Sequence, residues 1–142
     1  MSDPRAEQTA GWALRVLLVG EHTEGRRLRA VLECCYQRSF VLIEMKGLEE
    51  ACETLRANNF HLLVLDYGIV NTNGRDRLRL LRELAPSTPI ILQAGYRTRQ
   101  VEADAARVGA EAALAMGDSH RLWQAVLQVT CRMDPGQLAE LD

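Results

Sequence analysis

The stretch "HLLVLDYGIVNTNG", residues 61 to 74, contains an apolar run that ends on an acidic residue. The four consecutive apolar residues at 62–65 indicate a strand that is buried on both faces. Asp66 follows them at the point where the strand should meet solvent, and polar loop residues come after it. A carboxylate at the tip of a buried strand loses hydration free energy unless it is bonded or used. Asp66 is therefore the first candidate functional residue.

The hydrophobic pattern on either side of this stretch alternates between short apolar runs and amphipathic segments. The runs predict strands at 15–20, 40–45, 60–66, 89–93 and 112–116, and the amphipathic segments predict helices at 24–37, 47–58, 74–85, 97–109 and 118–133. Strands and helices that alternate in this way form right-handed βαβ units. We predict an α/β fold, a doubly wound (βα)5 domain whose parallel five-stranded sheet has the order 2-1-3-4-5 and helices on both faces.

The composition indicates a globular domain and argues against a nucleic-acid-binding or membrane-spanning protein. Of the 142 residues, 47% are hydrophobic and 25% charged, which is typical of a soluble globular domain. The net charge of −2 argues against a surface dedicated to nucleic acid. The chain lacks a signal-peptide pattern and an apolar run of the ~20 residues that span a membrane, so we expect a cytoplasmic protein. We predict a disordered tail at 1–12, a folded domain at 13–134, and a tail or the start of a linker at 135–142.

The predicted strand order places a ligand crevice at the carboxyl ends of the first and third strands. Gly20 and Glu21 follow the first strand, and Asp66 ends the third. The carboxylates of Glu21 and Asp66 should therefore converge, and hard oxygen ligands of this kind suit Mg²⁺. Two isolated acids are equally compatible with strand ends that are merely solvated.

The span from Leu14 to Met133 resembles the receiver domain of bacterial two-component response regulators. The resemblance implies a flavodoxin-like, CheY-like fold in which Asp66 is the phosphoacceptor for a histidine kinase. It also implies a Mg²⁺ ion held by Glu21, by Asp66 and by the backbone carbonyl of Gly68.

Four positions depart from the pattern of that family. Gly20 stands where the first of two adjacent acids is usual, and Ala94 stands where a serine or threonine bonds the phosphoryl oxygen. Ala113 replaces the switch aromatic and Met116 the phosphate-pairing lysine, while the only lysine, Lys46, ends the second strand. Because phosphoryl transfer depends on positioned charge, we predict a degenerate receiver, or pseudo-receiver. Such a module requires no cofactor, binds Mg²⁺ weakly, and has no enzymatic activity beyond gain or loss of a phosphoryl group on Asp66.

Two function hypotheses stay open beside this one. Asp66 could be a working phosphoacceptor of a phosphorelay with reduced efficiency. Alternatively, residues 20–27 have the G-x-x-x-x-G spacing of a P-loop, but Arg26 and Arg27 stand where that motif needs lysine and serine or threonine. An NTPase is therefore disfavoured. A flavodoxin-like flavin site with the same topology is also disfavoured, because the first loop lacks a hydroxyl-rich phosphate cradle.

The arginines offer further candidates. Arg97 and Arg99 follow the fourth strand beside the crevice and could bind phosphate, although solvated loop arginines are the simpler interpretation. Arg75, Arg79 and Arg82 fall on one face of the third helix. We expect this face to be exposed to solvent. The alternative is that it binds an acidic partner.

The surface formed by helix four, strand five and helix five is the predicted interface. Trp123 and Leu127 lie four residues apart on the flank of the last helix, a composition typical of interface anchors. The expected partners are a histidine kinase, a downstream signalling protein or a second copy of the chain, with no direct contact to nucleic acid or membrane. The alternative is that Leu138 and Leu141 of the tail cover Trp123.

Overall fold

Five parallel strands form one sheet in the order β2-β1-β3-β4-β5, as predicted. The computed structural model describes residues 13–20, 22–36, 38–69 and 74–133. The strands are β1 (Leu14–Val19), β2 (Phe40–Met45), β3 (Leu62–Asp66), β4 (Ile90–Ala94) and β5 (Ala112–Ala115). The helices are α1 (His22–Cys35), α2 (Leu48–Ala57), α3 (Gly74–Leu84), α4 (Arg99–Arg107) and α5 (Ser119–Cys131), with a 3-10 turn at Tyr67–Ile69.

The apolar run of β3 lies at the centre of the sheet. Leu62 and Val64 face one side and pack with α1 and α5, while Leu63 and Leu65 face the other and pack with α2, α3 and α4. All four side chains are fully buried. Each would contribute roughly 1.5–3 kcal/mol to folding by its burial. The two-sided burial explains why this strand reads as a continuous apolar run rather than an alternating one.

Helix ends follow the signals in the sequence. The Asp118 side chain accepts a hydrogen bond from the Arg121 amide and caps α5. Thr98 caps α4 in the same way by accepting from Val101. Gly109 has a φ of +65° just after α4, a left-handed conformation that is typical of the glycine after a helix end.

Several boundaries differ from expectation. The first strand pairs with β2 from Leu14 onward and ends before Gly20, whose φ of +149° turns the chain out of the strand. Helix α1 consequently begins and ends two residues earlier than predicted. Cys52 in α2 is buried, whereas Cys35 near the end of α1 is only partly buried.

The predicted tails at 1–12 and 135–142 lie outside the described residues. Among the helices that the structure describes, none combines the length and the apolar character that crossing a bilayer requires.

Candidate functional site

Asp66 is the last residue of β3 and is 8% exposed. Its carboxylate Oδ1 accepts a hydrogen bond of 2.8 Å from the backbone N–H of Gly68. The 3-10 turn at Tyr67–Ile69 brings this amide back over the carboxylate. A backbone donor of its own loop therefore bonds the buried carboxylate of Asp66. The predicted metal ligand is the carbonyl of Gly68, whereas this hydrogen bond involves its N–H, so the ligand role of Gly68 stays a prediction.

Gly20 lies against Asp66 at the same edge of the sheet. A Cβ atom built on Gly20 would overlap the Cβ of Asp66 and lie 3.1 Å from Oδ2. The φ of +149° is also one that side-chain-bearing residues rarely adopt. The position where the resemblance implies a first acid is therefore closed to any side chain, unless Asp66 or the end of β1 moves.

Oxygen ligands for a cation are few in the described part of this edge. Asp66 supplies one carboxylate, and Gly68 could add its carbonyl. Within the described residues, no group of three or more histidine, cysteine or carboxylate side chains is arranged to hold a metal ion. Glu21 lies outside those residues, so the predicted convergence of Glu21 with Asp66 stays a prediction. The described residues alone do not fit a Mg²⁺ site, and binding there would depend on Glu21.

Apolar side chains occupy the other family positions. Ala94 ends β4 and is 2% exposed, and its carbonyl accepts a 2.6 Å hydrogen bond from the Met116 amide. Ala113 lies in β5 and packs at the edge of the core. Neither Ala94 nor Met116 can donate a side-chain hydrogen bond toward Asp66. Gln93, which pairs with Asp66 across β3 and β4 and is 2% exposed, is a polar neighbour that the sequence analysis missed.

Among the described residues, no hydrogen bond or ion pair joins Arg97 or Arg99 to Asp66. Arg97 donates from Nε and Nη2 to Glu102 Oε1, at 3.0 and 2.7 Å. Both side chains of this pair are exposed, so the simpler interpretation of a solvated loop arginine fits Arg97. Arg99 is exposed at the first residue of α4.

A second carboxylate, that of Asp104 in α4, is buried beside the acceptor loop. The Tyr67 hydroxyl donates to Asp104 Oδ2 at 2.7 Å, while Gln100 and Arg107 donate to Oδ1 at 3.1 and 3.2 Å. Asp104 is 1% exposed, so these donors replace the water that the carboxylate loses. Tyr67 directly follows Asp66 in the chain, and this contact joins the acceptor loop to α4.

Arg82 contradicts the prediction of a solvated arginine face on α3. Its Nε donates to the carbonyl of Val108 at 2.7 Å, and Nη1 donates to those of Ala85 and Thr88 at 3.0 and 2.7 Å. Burial lowers the pKa of this guanidinium from its ordinary value, and the nearby Glu111 carboxylate opposes that change. Arg82 thus ties the end of α3 to the chain entering β4 and to the end of α4. Arg79, one turn earlier, is exposed as expected.

The predicted interface anchors are exposed. Trp123 is 47% and Leu127 40% exposed, whereas Leu122 and Val126 of the same helix are buried. The alternative, in which the tail covers Trp123, involves residues outside the described part of the chain. The partly buried Cys35 lies close by, with its Sγ 3.8 Å from the Trp123 carbonyl.

The thiol of Cys35 is weakly acidic. Burial raises its pKa to about 11, and the neighbouring thiols of Cys34 and Cys131 add to the effect. At neutral pH this sulfur is therefore protonated and a poor nucleophile.

Comparison with known proteins places this arrangement in a family. The model of the response regulator receiver domain matches residues 16–126. A search of curated proteins gave no match.

Solved structures share the fold at low sequence identity. A response regulator from Thermotoga maritima superposes with a TM-score of 0.71 at 19% identity, over 84% of this chain and 98% of that chain. The receiver domain of an HD domain-containing protein from Pseudomonas fluorescens Pf-5 gives 0.70 at 21% identity, over 84% and 96%. A response regulator from Burkholderia pseudomallei, solved with a phosphorylated aspartic acid, calcium and citrate, gives 0.64 at 17% identity, over 84% and 70%. Because the family model spans most of the sequence, the chain belongs to the response regulator receiver domains, which are signalling modules of two-component systems.

Proposed function

We propose that this receiver domain is a cytoplasmic signalling module that works mainly through contacts with other proteins, and that its phosphorylation site is degenerate. The observation that carries the proposal is the closed position at Gly20. A residue without a side chain packs directly on Asp66, in a backbone conformation that favours glycine, where phosphoryl chemistry would need an acid.

The losses at Ala94 and Met116 support the same conclusion. Removal of one positioned donor or charge from a developing anion costs about 2–4 kcal/mol of transition-state stabilisation. Even the low end slows a reaction by more than about tenfold for each contact, although such losses do not add. Ala94 and Ala113 also leave out the hydroxyl and the aromatic ring on which the usual conformational relay depends.

Incubation with Mg²⁺ and acetyl phosphate tests the proposal. We expect Asp66 to stay unmodified, as judged by intact mass under acidic conditions. A variant that combines Ala94→Thr with Met116→Lys serves as a comparison, because it restores two of the missing contacts. Addition of one phosphoryl group to most of the unmodified chain, abolished by Asp66→Asn, would overturn the degenerate-site proposal.

That outcome would establish the second candidate function, a phosphorelay receiver phosphorylated on Asp66 with reduced efficiency. Two observations favour this alternative. Asp66 keeps the acceptor position at the end of β3, with Gly68 against its carboxylate. The similar Burkholderia protein was solved with a phosphorylated aspartic acid.

Mg²⁺ binding, if present, should be in the millimolar range or weaker. The ion usually takes one or two carboxylates together with water and phosphate, and Asp66 and Glu21 are the two carboxylates that we propose here. Titration followed by the amide resonances of Gly20, Glu21, Asp66 and Gly68 measures the affinity. Saturation at micromolar Mg²⁺ would show a stronger site than we propose.

The proposed partners are a histidine kinase, a downstream signalling protein or a second copy of the chain. We place their contact on the surface of α4, β5 and α5. The half-exposed pair Trp123 and Leu127 supports this placement, since large apolar side chains are enriched among interface anchors. The proposal includes no direct contact of this domain with nucleic acid or with a membrane.

A further inference from the structure

A groove of about 270 Å³ lies between α3 and α4, on the face of the sheet opposite α1 and α5. Its position differs from that of the surface carrying Trp123 and Leu127. The residues that line it are Leu78, Arg79, Arg82, Asp104, Arg107 and Val108.

The lining carries a local excess of two positive charges, since it has three arginines and one aspartate. The whole chain, by contrast, has a net charge of −2. A basic groove on an acidic protein concentrates anionic ligands locally and repels them elsewhere.

The two outer arginines are available for a ligand. Arg79 is exposed and forms no hydrogen bond or ion pair with any residue that the structure describes. Arg107 has a side chain that is 55% exposed, and its contact with Asp104 is long, at 3.2 Å. The Asp104 carboxylate also accepts hydrogen bonds from Tyr67 and Gln100. Its single negative charge does not offset the two positive charges of Arg79 and Arg107.

The remaining residues make the groove a preformed site. Arg82 is held in place by backbone carbonyls of the α3 end, the β4 entrance and the α4 end. Leu78 and Val108 are nearly buried and form an apolar floor. The volume of about 270 Å³ is below the roughly 300–1,000 Å³ of most small-molecule sites, so it suits a few side chains of a peptide better than a whole small ligand.

We propose that this groove binds an acidic segment of a partner protein. A carboxylate of the segment lies between Arg79 and Arg107, and an apolar neighbour rests on Leu78 and Val108. This inference rests on the proposed role as a module of protein contacts, but it does not require any state of Asp66. The acetyl phosphate experiment and the experiment below therefore fail or succeed independently.

A fluorescein-labelled peptide of glutamates with two central leucines is the probe, and its glutamine counterpart is the peptide control. Fluorescence anisotropy at about 0.1 M salt, where charges more than about 10 Å apart are screened, measures binding to the full chain. We expect the double variant Arg79→Gln with Arg107→Gln to bind the acidic peptide about tenfold more weakly or worse. We expect the glutamine peptide to bind the unmodified chain more weakly by a similar factor.

A matched protein control is the double variant Arg56→Gln with Arg121→Gln, which removes the same charge from exposed positions outside the groove. This variant should bind the acidic peptide within about twofold of the unmodified chain, since screened charges at a distance matter little. Thermal melting of both double variants checks that each is folded. Amide shifts caused by the peptide should cluster at Arg79, Arg107 and Val108.

Three results would overturn the proposal. Equal weakening in both double variants would mean that net charge alone governs binding. Equal binding of the acidic and glutamine peptides would mean that the carboxylates are not recognised. Displacement of the peptide by millimolar inorganic phosphate, with phosphate shifts at the same amides, would mean that the groove is a small-anion site.

Discussion

Replacement of Arg82 by methionine should destabilise the fold well beyond what the loss of a surface arginine would cause. The guanidinium makes three contacts of 3.0 Å or less, to the carbonyls of Val108, Ala85 and Thr88. A hydrogen bond that involves a charged group contributes about 1.5–3 kcal/mol, but one side chain makes all three and water can replace some of them. We therefore expect a loss of about 2–4 kcal/mol in the free energy of unfolding.

Urea denaturation followed by circular dichroism measures this loss. With a slope of about 2 kcal/mol per molar urea, the midpoint should fall by roughly 1–2 M. Arg82→Lys should recover less than about half of the loss, because an ammonium is a point charge and cannot reach carbonyls on three segments at once. Arg79→Met is the matched control on the same helix, and it should change stability by no more than about 0.5 kcal/mol. Equal stability of the two methionine variants, or full recovery by lysine, would refute the reasoning.

Three further predictions concern single side chains. Tyr67→Phe removes the 2.7 Å donor to the buried Asp104 carboxylate, so it should lower the free energy of unfolding by about 1–3 kcal/mol; an unchanged urea midpoint would contradict this. Trp123→Ser should weaken self-association in sedimentation, or partner capture, while leaving the melting temperature almost unchanged. A large fall in melting temperature would instead mean that Trp123 is covered in the folded chain. At pH 8 the thiol of Cys35 should react with iodoacetamide more slowly than that of the exposed Cys131, because its pKa of about 11 keeps it protonated; equal rates measured by peptide mass would oppose this assignment.

Local pattern was enough to predict the architecture. The segment "FVLIEM", predicted as the strand at 40–45, is β2 at Phe40–Met45, and the amphipathic segment predicted at 47–58 is α2, whose buried residues are Leu48, Ala51, Cys52 and Leu55. These features depend on periodicity and capping within a few residues, which a single sequence records directly. The topology followed because βαβ connections leave few alternatives.

Side-chain partners from distant parts of the chain were not predictable in the same way. Arg82 bonds a carbonyl 26 residues away, and Tyr67 bonds a carboxylate 37 residues away. The spacing of the arginines on α3 indicated a solvated face. Spacing within one helix does not show which other parts of the chain lie beside it, and here the ends of α3 and α4 meet at Arg82. Asp104 did leave a signal, since it occupies an apolar position of α4 together with Val101 and Ala105.

The departures from the receiver pattern are unequal, and only the structure separates them. Ala94 and Met116 already have a Cβ, so a hydroxyl or an ammonium there requires only added side-chain atoms. Gly20 is different, because its φ and the Asp66 Cβ both oppose any side chain. An acid at this position would have to displace β1 or the acceptor itself. In the sequence, the changes at Gly20, Ala94 and Met116 look equivalent, since each removes one functional group. In the structure they differ, because the packing around Gly20 means that substitution alone does not restore the missing acid. That packing is why the proposal of a degenerate site rests on Gly20 rather than on the missing lysine.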